Sequence, residues 1–244
     1  CESATIRNCV VTDGADNNIY LRQTHGSLID NCRTYGVTTD KAGATDYYIV
    51  LQADCYDNVA RGCLAHNTHG EHKDVHPGHG IGIKDWARDD GYPHPHSHGN
   101  RFEGCACLNN GEYFFVAHEA YGNEFVDCTA LGQWRTQARW SEGVNIRDGA
   151  HDNTFRNCRV QGAHTGVTFQ DTVEGPKNAD GSPVVQICSR NTLANCVFSD
   201  AKLGIEIWNA DDNALRNCVF SGAGQWALVR FPMDRKCIGN VCRN

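Results

Sequence analysis

The chain has 244 residues, a formal net charge of −7, 25 Gly, 14 Cys and a single Met. An acidic chain without lysine clusters excludes nucleic acid as a partner, because a phosphate backbone demands a basic face. No apolar run is long enough to span a bilayer as a helix, and the turn-rich composition suits one elongated domain over residues 1–244 better than a globular core.

Taken in order, the chain is a repeat. Cys9, Cys32, Cys63, Cys105, Cys128, Cys158, Cys196 and Cys218 share one context, and the gaps between them run from 22 to 42 residues. A short minimal period lengthened by insertions marks a solenoid. Just before these cysteines stand Asn8, Asn31, Gly62, Gly104, Asp127, Asn157, Asn195 and Asn217. These residue types tolerate a left-handed backbone, so the chain is expected to bend there once per coil. Three positions before each Cys come Ile6, Ile29, Ala60, Phe102, Phe125, Phe155, Leu193 and Leu215, with polar neighbours such as Arg7, Asp30, Arg156 and Arg216. That period of two marks a strand. Five positions before the Cys, Ala4 and Ser27 are followed by Asn58, Asn100, Asn123, Asn153, Asn191 and Asn213. Stacked amides can hand hydrogen bonds along a solenoid as an interior ladder.

Upstream of each bend lies a further strand, seen in Ile19-Tyr-Leu21, Ile49-Val-Leu51, Ile81-Gly-Ile83, Phe114-Phe-Val116, Val144-Asn-Ile146, Val167-Thr-Phe169 and Ile205-Glu-Ile207. The outer residues of each triplet point inward and the middle one points out. Since every coil repeats in the same chain direction, the strands stack in parallel. This pattern resembles the right-handed parallel β-helix superfamily, the pectate-lyase-like solenoids, over nearly the whole chain. The resemblance implies an all-β, right-handed parallel β-helix solenoid of about eight coils. Cys1-Glu-Ser-Ala-Thr-Ile6 already lies in a repeat, so an N-terminal cap is expected to be missing, and an end-to-end contact is expected at that end.

Eight of the 14 cysteines share one column. Stacked residues sit about 4.8 Å apart with parallel Cβ vectors, wider than a disulfide allows. The column therefore reads as a ladder of buried thiols that fill space, not as disulfides or a zinc site. Cys237 and Cys242 are left as a pair that could close the C-terminal end.

Five insertions interrupt the repeat: Tyr35 to Tyr47, Leu64 to Gly80, Trp86 to Gly99, Leu131 to Glu142 and Thr172 to Arg190. All border the same strand column, and insertions in a solenoid gather on its binding face. They would wall a groove whose floor includes Tyr20, Arg22, Lys84, Phe115, Asn145, Arg147, Gln170 and Trp208, with Trp134 and Trp140 in the wall. Central cations and flanking aromatics suit an extended acidic or neutral glycan. On the resemblance, such a protein acts on polysaccharide outside the cell or in its envelope. It is expected to be a lyase or uronan-modifying enzyme, with a glycoside hydrolase or a non-catalytic glycan-binding or surface-assembly module as alternatives.

The resemblance to polysaccharide lyases of this fold implies Lys84 as base and Arg147 as carboxylate clamp or acid. Such a base needs its charged form disfavoured, by Arg147 or by burial under the walls. His79 and His118, next to the floor, suit acid or base work near neutral pH. Asp148 continues a second column with Asp85, His118 and Asp171, where paired carboxylates would serve a hydrolase. Asp85, Glu119 and Asp171 could instead hold calcium, although an Asp at a strand exit also simply caps a turn. Gly78-His79-Gly80 resembles the Gly-His-Gly motif of polygalacturonases, without the flanking Asn-Thr-Asp and Arg-x-Lys that belong with it. Convergence of His94, His96 and His98 on a transition metal is the less favoured reading, because Pro93 and Pro95 disturb the alternation it needs.

Overall fold

The computed structural model describes residues 1–37, 47–68, 78–85, 95–133, 141–170, 186–230 and 239–243, with backbone alone for 225–230. Three sheets run its length, each coil gives one strand to each sheet, and neighbouring strands pair in parallel. Sheet I runs from Thr5–Arg7 to Val241–Arg243, and sheet II from Val10–Gly14 to Val219–Ser221. Sheet III defines coils 1 to 8 through its strands Asn17–Arg22, Tyr47–Gln52, His79–Lys84, Glu112–Ala117, Glu142–Arg147, Thr165–Gln170, Leu203–Trp208 and Gln225–Arg230. No helix occurs among the described residues, and so none is long and apolar enough to cross a membrane.

The bend between sheets I and II falls on the column of Asn, Gly and Asp. Asn8, Asn31, Gly62, Gly104, Asp127, Asn157, Asn195 and Asn217 all have φ between 50° and 59°. An L-residue with a larger side chain is strained there. Inside the bend, Phe102, Phe125 and Phe155 stack with centroids 4.4 Å apart. Parallel in-register pairing places identical side chains directly over one another, which suits offset aromatic stacking.

The repeat cysteines from Cys32 to Cys218 are buried and carry free thiols. Each donates to the backbone carbonyl of the apolar residue three positions before the previous coil's Cys, as in Cys128 Sγ to Phe102 O (3.6 Å) and Cys158 Sγ to Phe125 O (3.5 Å). Shielded from solvent and bonded to backbone carbonyls, these thiols serve as small space-filling groups. Cys242 is free and exposed, and Cys237 lies outside the described residues.

The asparagines form an unbroken file. Each side-chain oxygen accepts from the preceding rung's backbone N–H and amide, as Asn123 does from Asn100 at 3.0 Å in both bonds. Asn240 adds a rung at the C-terminal end, accepting from Asn213 N–H and Nδ2, and Ser27 accepts from Ala4 N–H at the other end. Two positions before these asparagines runs a second stack that sequence reasoning missed. The rings of His25, Tyr56, His98, Tyr121 and His151 lie nearly parallel with centroids 4.7, 5.4, 5.0 and 5.2 Å apart. Its signal was visible, since an aromatic ring stands two residues before Ser27 and before each of Asn58, Asn100, Asn123 and Asn153.

Candidate functional site

Sheet III does not alternate cleanly, and this shapes its outer face. In coil 4 Tyr113 and Phe114 are consecutive and both lie in the core, so the strand bends after its first residue. The second position is glycine in coils 3, 5, 6 and 7, and a Cβ on Gly80 or Gly143 would run into the Cys107 thiol or the Val160 side chain. The first, fourth and sixth residues therefore face outward. The fourth-position file is Tyr20, Val50, Gly82, Phe115, Asn145, Thr168 and Glu206. The sixth-position file is Arg22, Gln52, Lys84, Ala117, Arg147, Gln170, Trp208 and Arg230.

Coils 2 to 5 carry a connected run of polar groups on this face. Lys84 Nζ lies 5.3 Å from the centroid of the Tyr47 ring, and His79 stacks on that ring at 5.0 Å. His79 Nδ1 is 2.9 Å from Glu112 Oε2, and Glu112 Oε1 is 3.1 Å from Arg147 Nη1. Arg147 Nε is 3.6 Å and His118 Nδ1 3.5 Å from the same oxygen of Asp148. Side-chain exposure is 4% for His79, 11% for Glu112 and 3% for Asp148, against 16% for Arg147 and 24% for His118. The run thus opens toward solvent at the Arg147 and His118 end.

Burial and charge set the protonation states. Burial pushes His79 below its ordinary value against the opposing pull of Glu112. Burial likewise pushes His118 down to about 4 despite Asp148 beside it, so its imidazole is neutral at pH 7. Burial raises the Glu112 carboxyl, but Arg147, then His79 and Lys84, outweigh it and hold the group ionised, below the usual carboxylate range. Arg147 is likewise raised, burial being overcome by Glu112 and Asp148. His118, Glu119 and Asp148 sit at φ of 59°, 63° and 54°. Gln23, Ala53 and Asn209 share that left-handed strand exit at φ of 51°, 50° and 53°, so the turn itself belongs to the fold, and in coils 4 and 5 it carries side chains that complete the cluster.

The structure brings Lys84, His79, His118, Arg147 and Asp148 into one cluster and adds Glu112 and Tyr47, which sequence reasoning passed over. Their positions were legible only through the bend, because strict alternation turns the first residue of each strand inward. The expected floor is corrected at three points, Phe115, Asn145 and Lys84, all of them buried. Phe115 is fully buried in a small cluster with Tyr47 and Val50. Asn145, also fully buried, donates to Glu142, whose other oxygen takes the Thr168 hydroxyl at 3.3 Å. The sixth-position file is open only in part: Arg22 is exposed and Gln52, Arg147, Gln170 and Trp208 are half-buried, whereas Lys84 and Ala117 are buried, and Tyr20 is 40% exposed beside the file.

The metal expectations change as well. His98 belongs to the ring stack and its Nδ1 meets the His96 carbonyl oxygen at 2.9 Å, so His96 and His98 do not converge on an ion. His96 instead spans Asp85 and Glu119, with one nitrogen 3.3 Å from each carboxylate. Among the described residues no group of three His, Cys, Asp or Glu side chains is placed to hold a metal, and the calcium set expected on Asp85, Glu119 and Asp171 extends beyond them. Asp85 also accepts the Ser97 N–H at 2.6 Å. His94, Trp134, Trp140 and Asp171 lie outside the described residues. So does most of each insertion, but 38–46, 69–77 and 134–140 lead into strands of sheet III while 86–94 and 171–185 follow them. Every excursion joins the chain at the sheet that carries the cluster.

A family model described as a right handed beta helix region matches residues 1–92. Among solved structures, the A-module of the mannuronan C-5 epimerase AlgE4 of Azotobacter vinelandii superposes with a TM-score of 0.70 at 15% identity, covering 95% of this chain and 57% of that one. Alginate lyase from Paenibacillus sp. str. FPU-7 gives 0.67 at 13% identity, over 95% of this chain and 74% of that one. A tailspike protein mutant of E. coli bacteriophage HK620 in complex with a pentasaccharide gives 0.62 at 12% identity, over 99% of this chain and 43% of that one. The chain thus spans about half the length of the epimerase module and less of the tailspike. A search of curated proteins gives no match.

Proposed function

We propose that this chain, whose fold is that of the right-handed parallel β-helix superfamily, acts on an acidic polysaccharide, either as a lyase or as an enzyme that reconfigures the carbon beside a uronate carboxylate. The observation that carries this reading is the buried run of charges on an outer sheet face, ending in a neutral His118 beside Arg147. Burying ions costs a fold free energy that a hydrophobic surface would not, and clustered perturbed groups are the hallmark of reactive sites. Arg147 takes the substrate carboxylate and stabilises the charge that builds on it when the neighbouring proton leaves. His118, uncharged at pH 7 and the most open member of the cluster, accepts that proton, and Asp148 steadies the imidazolium. Lys84 supplies the second cation. If the glycosidic oxygen is then expelled, taking the proton back from the His118 imidazolium as its bond to carbon breaks, the product is unsaturated; if water instead delivers a proton to the opposite face of the carbanion, the product is the epimer.

The epimerase and lyase neighbours support the uronan class, although at their identities they share only the fold. A hydrolase of the same fold, with Asp148 and a second carboxylate of its column as the acid and base pair, is the second reading. The test is incubation with a panel of uronans in D2O. Near-ultraviolet absorbance reports unsaturated ends, deuterium at the carbon beside the carboxylate reports epimerisation, and new saturated reducing ends report hydrolysis. Binding without any of these signals would assign the chain to the non-catalytic alternative, and neither binding nor turnover with any uronan would refute the proposal.

A further inference from the structure

The outward charges of sheets I and II change character along the solenoid. In its first half, the arginines of sheet I have carboxylates beside them. Arg7, Asp30 and Arg61 occupy consecutive rungs, both arginines place Nε 2.8 Å from an Asp30 oxygen, and Arg101 pairs with Glu103 and Glu124. From Thr154 onward no strand of either sheet carries an acid. Arg156, Arg159, Arg216 and Arg243 are all exposed there, and none of them forms an ion pair among the described residues. Arg216 and Arg243 stand directly opposite each other on neighbouring strands. Arg156 lies two rungs from Arg216 across Ala194, and Arg159 follows it round the Asn157 bend. Like charges directly opposite destabilise a sheet, so the fold itself gains nothing from this arrangement in a chain of net charge −7.

A hollow of about 590 Å³ opens over the same pair, lined at one end of the strands by Arg216, Asn217 and Arg243, then by Ala214 and Val241, and at the other end by Asp212. A carboxylate has two oxygens and is satisfied by one guanidinium fork, whereas a sulfate or phosphate monoester offers three terminal oxygens and can take two forks at once. Adjacent rungs are about 4.8 Å apart, close enough for Arg216 and Arg243 to share one such group. The neighbouring outward residues of sheet I, Thr154, Thr192, Ala194 and Ala214, are small and partly hydroxylated. They suit sugar hydroxyls and lack the apolar bulk that anchors a protein in a bilayer. We propose that this arginine surface binds a polysaccharide bearing sulfate or phosphate esters, with Arg216 and Arg243 seating one ester and Arg156 and Arg159 another. Asp212, which repels an ester at the far end of the hollow, accepts from a sugar hydroxyl there. The surface lies on sheets I and II and the reactive cluster on sheet III, so the proposal does not rest on the uronan reading.

The experiment is titration of dextran sulfate and dextran phosphate into the full chain, with carboxymethyl dextran and phosphatidylglycerol vesicles alongside. None of these is a uronan, so the result is independent of any activity on sheet III. The Arg216→Gln/Arg243→Gln variant should weaken binding of an ester polymer about tenfold, each surface charge contact being worth a few-fold. Arg7→Gln/Arg61→Gln removes the same charge from the paired half and should change binding by less than about twofold. Carboxymethyl dextran should bind about tenfold more weakly than the ester polymers. Equal losses in the two variants, equal binding of carboxymethyl dextran, or no binding of either ester polymer overturns the proposal. Vesicle binding that alone depends on Arg216 and Arg243 overturns it in favour of a membrane surface. Urea unfolding supplies a second check, because relieving a like-charge pair should leave Arg216→Gln/Arg243→Gln no less stable than wild type. A lowered midpoint would give these arginines to the fold and overturn the proposal as well.

Discussion

Replacing Asn123 by Leu removes one rung from the middle of the asparagine file at nearly constant side-chain shape. Asn123 is fully buried. Its oxygen accepts from Asn100 N and Asn100 Nδ2, both at 3.0 Å, and its own amide donates to Asn153 Oδ1 at 3.0 Å. Most of the neighbours keep a second partner. Asn100 Nδ2 still reaches Cys55 O at 2.8 Å, and Asn153 Oδ1 still takes the backbone N–H of residue 123. The backbone N–H of Asn100 keeps none. An orphaned buried donor costs about 1–3 kcal/mol and each lost amide bond about 1 kcal/mol, so after some return from leucine burial the expected loss is roughly 2–4 kcal/mol. Ser27→Ala, at the partly buried end of the same file, should cost about 1 kcal/mol. Urea unfolding followed by far-ultraviolet circular dichroism reads both through the midpoint at unchanged slope. An Asn123→Leu chain within about 0.5 kcal/mol of wild type, or no less stable than Ser27→Ala, would refute the assignment of the file as a structural element.

Three further outcomes follow from the site and the core. His118 has a folded pKa of about 4 against about 6.5 when unfolded, so stability is full above pH 6.5 and falls by about 3 kcal/mol as pH drops to 4. His118→Asn should flatten that part of the pH–stability curve, and an unchanged curve would place the burden on another group. Glu112→Ala leaves Arg147 buried with one carboxylate fewer and should lower stability by roughly 3–5 kcal/mol, measured by denaturant midpoint, with Glu112→Gln in between. A thiol reagent should label Cys1 and Cys242 in the folded protein and reach Cys128 or Cys158 only on unfolding, because the former are exposed and the latter buried; rapid native labelling of Cys128 or Cys158 would contradict the packed column.

The parts legible in the sequence were those fixed by a column of like residues. Asn8 to Asn217 announced the left-handed bends, Ile6 to Leu215 the inward strand, and Asn58 to Asn213 the amide file, because parallel stacking puts the same local chemistry in every coil. What escaped notice depended on departures from the period. Glu112 and Tyr47 reach the outer face because the two residues after each, Tyr113 and Phe114 or Tyr48 and Ile49, both turn inward, and nothing in a period of two signals such a bend. Phe115 and Asn145 sit in the outward file as expected, yet they are buried beside neighbours on the same face, Tyr47 and Val50 for Phe115 and Glu142 for Asn145, which periodicity does not contain. His96 and His98 were grouped by spacing, but a strand exit and a corner separate them into an acid-bound imidazole and a ring stack.

Where the charges lie also separates what the fold needs from what the site needs. The interior is held by aromatic stacks, buried thiols and the amide file, none of which involves an ion, so the core would close equally well over an outer face of Thr and Val. Sheet I comes close to that economy, with Arg7, Asp30 and Arg61 neutralising one another at the surface. Sheet III instead buries Glu112, His79 and Asp148 and ties Arg147 between two carboxylates. Each of those groups was moved out of water at a cost that its partners only partly offset. A solenoid whose stability is already secured inside can carry that cost on one face. The pair left most open, Arg147 and His118, is therefore where an incoming carboxylate and its neighbouring proton would complete interactions that the folded chain alone leaves unfinished.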